Sequence, residues 1–105
     1  MKHILAAELQ ARMVAGEKLQ LLDVREIWEF NTARIGGSEL IPMGEVAARV
    51  AELDSDADII VICHHGGRSM QVAAFLEREG FSKVHNLTGG VDAWARTIDH
   101  SMPTY

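Results

Sequence analysis

Cysteine is the scarcest chemistry in this chain: Cys63 is the single thiol among 105 residues. A lone thiol excludes an intramolecular disulfide, a C-x-x-C redox pair and any multi-cysteine metal site. Positive charge is short as well, with ten Lys and Arg against fifteen Asp and Glu and a formal net charge of −5. That balance argues against nucleic acid or an anionic membrane surface as the main partner, while leaving room for a locally positive pocket. No apolar run approaches the length that crosses a bilayer, and Met1-Lys2-His3-Ile4 meets Glu8 and Arg12 within a few residues. Neither a membrane span nor a secretory segment is therefore expected, and the cytoplasm is the default compartment. Internal repeats, low-complexity tracts and linkers are missing too, so residues 1–105 read as a single domain with one core.

What is present alternates between two periodicities. His3-Ile4 reads as a short edge strand, and Ala6 to Val14, with Leu5, Leu9 and Met13 on one side, as an amphipathic helix ended by Gly16. No Ser, Thr, Asp or Asn precedes that helix to cap it. Leu19 to Val24 is a buried parallel strand with charge at its carboxyl end, and Glu26 to Phe30 a short helical turn. Ile35-Gly36-Gly37-Ser38 turns into the brief strand Leu40-Ile41-Pro42, and Gly44 to Leu53 has helical period until Asp54-Ser55-Asp56 breaks it. Ile59 to Ile62, four β-branched aliphatics, is a strand buried on both faces. Ser69 to Glu79 then carries Val72, Phe75 and Leu76 at helical spacing, with Gly80 as its stop. Lys83 to Leu87 is the last strand, Thr88-Gly89-Gly90 a turn, Val91 to Ala95 a one- or two-turn helix, and Arg96 to Tyr105 a polar tail. Strands and helices alternating end to end predict a parallel sheet covered on both faces.

Cys63 falls where the central strand stops and a helix begins. In an open α/β sheet that carboxyl-end crevice is where ligands bind, and the helix N-terminus adds unpaired N–H groups with the positive end of its dipole. A free cysteine at a strand end is often an inert small hydrophobe. Its company here, His64-His65-Gly66-Gly67-Arg68-Ser69, favours a functional thiol. Gly66 and Gly67 allow successive N–H groups to turn inward as an anion nest, Arg68 brings a cation to its mouth, and thiols in such settings ionise readily. The expected site is thus a nucleophilic Cys63 in a cradle formed by His64, His65, Gly66, Gly67, Arg68 and Ser69. Asp23 and Arg25 are read as structural support, an ion pair fixing a strand end. Adjacent His64 and His65 would point to different sides of an extended loop and make a poor ligand pair, so neither a metal nor a cofactor is expected. His85 reads as a strand residue with a hydrogen-bond partner, and Trp28 and Trp94 as cover for the core.

Three stretches then carry a family likeness. Asp23-Val24-Arg25-Glu26 with Trp28-Glu29-Phe30, the loop from Cys63 to Ser69, and Gly89-Gly90-Val91-Asp92-Ala93-Trp94 resemble, in order and across almost the whole chain, the single-domain rhodanese (thiosulfate sulfurtransferase) family. The resemblance implies a rhodanese-like α/β fold, a small parallel sheet of about five strands with helices on both faces. It also implies that Cys63 accepts a sulfane sulfur as a persulfide, that the amides from His64 to Ser69 cradle the outer sulfur, and that Arg68 helps hold an anionic donor. The donor would be thiosulfate or a low-molecular-weight or protein persulfide; the acceptor would be cyanide, a small thiol or a sulfur-carrier protein. Two departures stand out. Ala33-Arg34-Ile35-Gly36-Gly37-Ser38 replaces the usual His-Ile-Pro-Gly-Ala-like turn, and His64 stands where many thiosulfate-using members place a cation. A neutral imidazole attracts a dianion less than a guanidinium does, so the second departure bears on the donor.

Two other readings compete. A cysteine-dependent phosphatase or arsenate reductase also combines a cysteine, an amide cradle and an arginine, but with one residue more between them than His64, His65, Gly66 and Gly67 supply here. A non-catalytic binding module would keep the fold alone, and the intact cysteine and glycine loop count against it.

Overall fold

A computed structural model describes residues 1–105. Five strands, β1 (Lys2–Ile4), β2 (Leu19–Asp23), β3 (Glu39–Leu40), β4 (Asp58–Ile62) and β5 (Val84–Leu87), form one sheet in the order β1-β5-β4-β2-β3, with every neighbouring pair parallel. β4 takes the middle because its sequence tolerates burial on both faces: Ile59, Ile60, Val61 and Ile62 are each 0% exposed. The two-residue strand period divides them. Ile60 and Ile62 pack with Leu9 of α1 (Ala6–Val14) and with Val91 and Trp94 of α5 (Gly90–Thr97). Ile59, Val61 and Cys63 pack with Val72, Ala73 and Leu76 of α4 (Gly67–Arg78). Each such buried aliphatic contributes roughly 1.5–3 kcal/mol relative to exposure.

Several elements differ from the sequence expectation. The missing cap of α1 is supplied from within, where the Leu5 N–H donates to Glu8 Oε1 at 3.1 Å. The same device closes α2 (Ile27–Thr32), whose Glu26 N–H donates to Glu29 Oε1 at 3.0 Å. The helix expected over Gly44 to Leu53 is only one α-turn, α3 (Val46–Arg49), between 3-10 turns Met43–Glu45 and Val50–Glu52. Within that stretch Val46 and Leu53 are the buried side chains, too little apolar surface to hold a longer α-helix. α4 begins at Gly67 rather than Ser69, and α5 runs on to Thr97. The tail is not simply polar: Met102 is buried, and Tyr105 returns to the carboxyl end of β2. Of the two tryptophans Trp94 covers the core, whereas Trp28 is 59% exposed.

Candidate active site

Cys63 lies one residue past β4, after the carbonyl of Ile62 has accepted the N–H of Val24 at 2.9 Å. The chain then reverses, and Gly66 makes the reversal possible at φ +111°, a left-handed conformation that only glycine adopts without strain. Its N–H donates to Cys63 Sγ at 3.0 Å. The sulfur is also 3.3 Å from Ser69 Oγ, and the Ser69 hydroxyl donates in turn to Asn86 Oδ1 on β5. Buried polar contacts therefore hold the thiol on two sides at the head of α4, and Gly66, the residue before the helix, supplies the backbone N–H. The largest cavity, about 410 Å³, opens at the amino ends of the strands beside Asp58 and His85, and no loop residue from Cys63 to Ser69 lines it. Cys63 itself is 1% exposed.

A second helix holds that loop in place. The first turn of α5 spends its free amides on the loop backbone: Val91 N–H donates to the carbonyl of Cys63 at 2.9 Å and Asp92 N–H to that of His64 at 3.1 Å. Such close approach requires Gly90, where a Cβ would sit 2.5 Å from the His64 carbonyl oxygen and closer still to that of Cys63. Asn86 and Gly90 were not among the expected site residues. Gly90 entered the sequence reading within a turn and within the family-like stretch Gly89 to Trp94, and the fold is what lays it against Cys63.

Charge around the loop is arranged in pairs. Asp23 and Arg25 are both 0% exposed, and Arg25 Nη2 reaches Asp23 Oδ2 at 2.7 Å and the Ala33 carbonyl at 2.6 Å. Arg68 turns both terminal nitrogens to Glu29, with Nη1 to Oε1 at 2.7 Å and Nη2 to Oε2 at 2.9 Å. Tyr105 links the pairs: its hydroxyl accepts from Arg25 Nη1 at 2.7 Å and donates to Glu29 Oε2 at 2.9 Å. The hydrogen bond from Arg68, more than offsetting burial, holds the Glu29 carboxyl at about 2. Burial pushes the Tyr105 phenol up to about 12, so it stays a donor at neutral pH. Glu29, present in the family-like stretch Trp28-Glu29-Phe30, and Tyr105 were not among the expected site residues, since 39 and 76 positions separate Glu29 from Arg68 and Tyr105.

His64 and His65 do not diverge as an extended loop would require. The bend brings their rings edge to face with centroids 3.9 Å apart, and His64 also meets the Tyr105 ring at 4.1 Å. Burial, with the nearby His65, lowers the His64 pKa and favours the neutral imidazole. Donor atoms of His64, His65 and Asp92 fall within 4.8 Å of one another, but Asp92 Oδ2 is engaged by Arg96 Nε at 3.0 Å. His85, on β5, meets Asp58 Oδ1 at 3.1 Å, far from the loop.

A parallel α/β sheet with its one cysteine at the carboxyl end of the middle strand, inside a glycine turn sealed by two helix N-termini, defines a loop-cradled thiol protein. The chain belongs to the rhodanese-like domain family, whose model matches residues 5–97. A crystal structure of a rhodanese-like domain protein from Staphylococcus aureus superposes with a TM-score of 0.86 at 28% identity, covering 100% of this chain and 99% of that one. Thiosulfate sulfurtransferase GlpE of Pseudomonas aeruginosa is 38% identical over 85 residues, 81% of this chain and 77% of that protein. The chloroplastic rhodanese-like/PpiC domain-containing protein 12 of Arabidopsis thaliana is 38% identical over 99% of this chain, which spans 37% of its length.

Proposed function

We propose that this protein is a sulfurtransferase that carries a sulfane sulfur as a persulfide on Cys63. The observation that carries the reading is the setting of the only thiol: Sγ receives the Gly66 N–H at 3.0 Å inside a turn at the head of α4. A nucleophile held this way attacks the outer sulfur of thiosulfate or of a persulfide; the new S–S bond forms as the old one breaks, and sulfite or a thiolate leaves with the bonding pair. An acceptor, cyanide, a small thiol or a sulfur-carrier protein, then attacks the outer sulfur and returns Cys63 as thiolate. In this reading the Gly66 N–H and the amides at the head of α4 stabilise the anionic outer sulfur. Asp23 and Arg25 act on the framework rather than on the substrate. The family membership and the GlpE relative support the same chemistry.

Thiocyanate formation from cyanide and a sulfane donor tests the proposal. Wild-type protein should turn over and Cys63→Ser should not; turnover by the serine variant would remove Cys63 from the mechanism.

A further inference from the structure

Four buried or half-buried charges flank the Cys63 loop, and they cancel: Asp23 against Arg25, Glu29 against Arg68. Arg68 is the loop's only Lys or Arg, and its guanidinium fork is closed on Glu29. The Glu29 carboxylate has no spare acceptor to release, since Oε1 also receives the Glu26 N–H and Oε2 the Tyr105 hydroxyl. On the other side of the loop Arg96 is tied to Asp92. Turning Arg68 toward a bound anion would leave Glu29, which is 4% exposed, as an unpaired buried carboxylate.

Thiosulfate carries two negative charges on the atoms that must enter or touch the cradle. An organic persulfide, R–S–SH, brings at most one charge to the reacting sulfur pair and leaves R outside the loop, in which Cys63 is 1% exposed. Resting on the sulfurtransferase reading above, we propose that Glu29, braced by Tyr105, sets the donor class by cancelling Arg68, so that the site takes sulfur from an organic persulfide in preference to thiosulfate. In that step Cys63 thiolate attacks the outer sulfur, the Sγ–S bond forms, and the bond from that sulfur to R–S breaks. R–S leaves with the electron pair and takes a proton from solvent, and Cys63 ends as S–SH with no net oxidation. Glu29 acts through Arg68 and Tyr105 through Glu29, so both are positioning residues.

The test is the second-order rate constant for loading Cys63, followed by intact mass without an acceptor, for cysteine persulfide and for thiosulfate. Wild-type protein should load from the persulfide at least about a hundred-fold faster, a gap set by the cost of bringing a dianion to a site that offers it no uncancelled cation. Glu29→Gln should free the Arg68 charge and move the ratio at least about ten-fold toward thiosulfate. In that variant thiosulfate loading should also fall steeply as ionic strength rises, a response that damage to packing alone would not produce. Tyr105→Phe keeps the ring and both ion pairs but removes the brace, and should move the ratio a few-fold in the same direction. Equal loading of wild-type protein by the two donors overturns the inference while leaving the sulfurtransferase reading intact, and so does a ratio unmoved in both variants. Failure of both donors to load Cys63 sinks the functional reading and this inference with it.

Discussion

Glu29 is a buried carboxylate accepting four hydrogen bonds, and its ionisation is coupled to the fold. With its folded pKa at about 2 against a usual 4.5, it contributes stability that is fully present above about pH 4.5 and is lost as pH falls toward 2. Urea unfolding across that window should show the gap between wild-type protein and Glu29→Gln narrowing as pH falls; a gap independent of pH would mean the carboxylate is not held by Arg68. Asp23 makes a similar argument without titration. Asp23→Ala leaves the fully buried Arg25 guanidinium without its charge partner and should cost about 3–5 kcal/mol in unfolding free energy. Asp23 and Arg25 were legible in sequence because two positions separate them at a strand end. Glu29 and Tyr105 were not, because their contacts join residues distant in sequence, and no local pattern encodes which strand ends converge.

At the scale of elements, the loop's shape depends on what α5 presses against it. Gly90→Ala would drive a methyl group into the carbonyls of Cys63 and His64 at φ +59°, so the N–H bonds from Val91 and Asp92 must lengthen. A loss of about 1–3 kcal/mol is expected together with slower sulfur transfer. Gly36→Ala, with nothing within 4 Å of its Cβ, should change neither. Loop length separates sulfur from phosphorus chemistry. Under the proposed function the four residues between Cys63 and Arg68 have one outer sulfur to enclose, whereas a phosphate must seat three equatorial oxygens in line with the thiol. The protein should show negligible hydrolysis of p-nitrophenyl phosphate, and a glycine inserted between Gly66 and Gly67 should lower sulfur transfer. Cys63-dependent hydrolysis without persulfide formation would reverse that assignment. Element types were readable from period, as in α1 and β4. The start of α4 was not, because Gly66 and Gly67 are poor helix formers and only the left-handed Gly66 places them at a helix entrance.

For the whole molecule, the alternation of strands and helices prescribes a parallel sheet, and the apolar run Ile59 to Ile62 within β4 prescribes which strand is central. The order of the outer strands and the return of the tail to Arg25 are tertiary outcomes that the period-two and helical patterns do not contain. The thiol's position is therefore the part of the site most directly written in the sequence, and the central claim rests on it. Intact-mass measurement after exposure to cysteine persulfide or thiosulfate tests that claim most directly. The account predicts a gain equal to one sulfur atom on wild-type protein, removed by cyanide with release of thiocyanate, and no gain on Cys63→Ser. An unchanged mass with both donors, or the same gain on the serine variant, would contradict it.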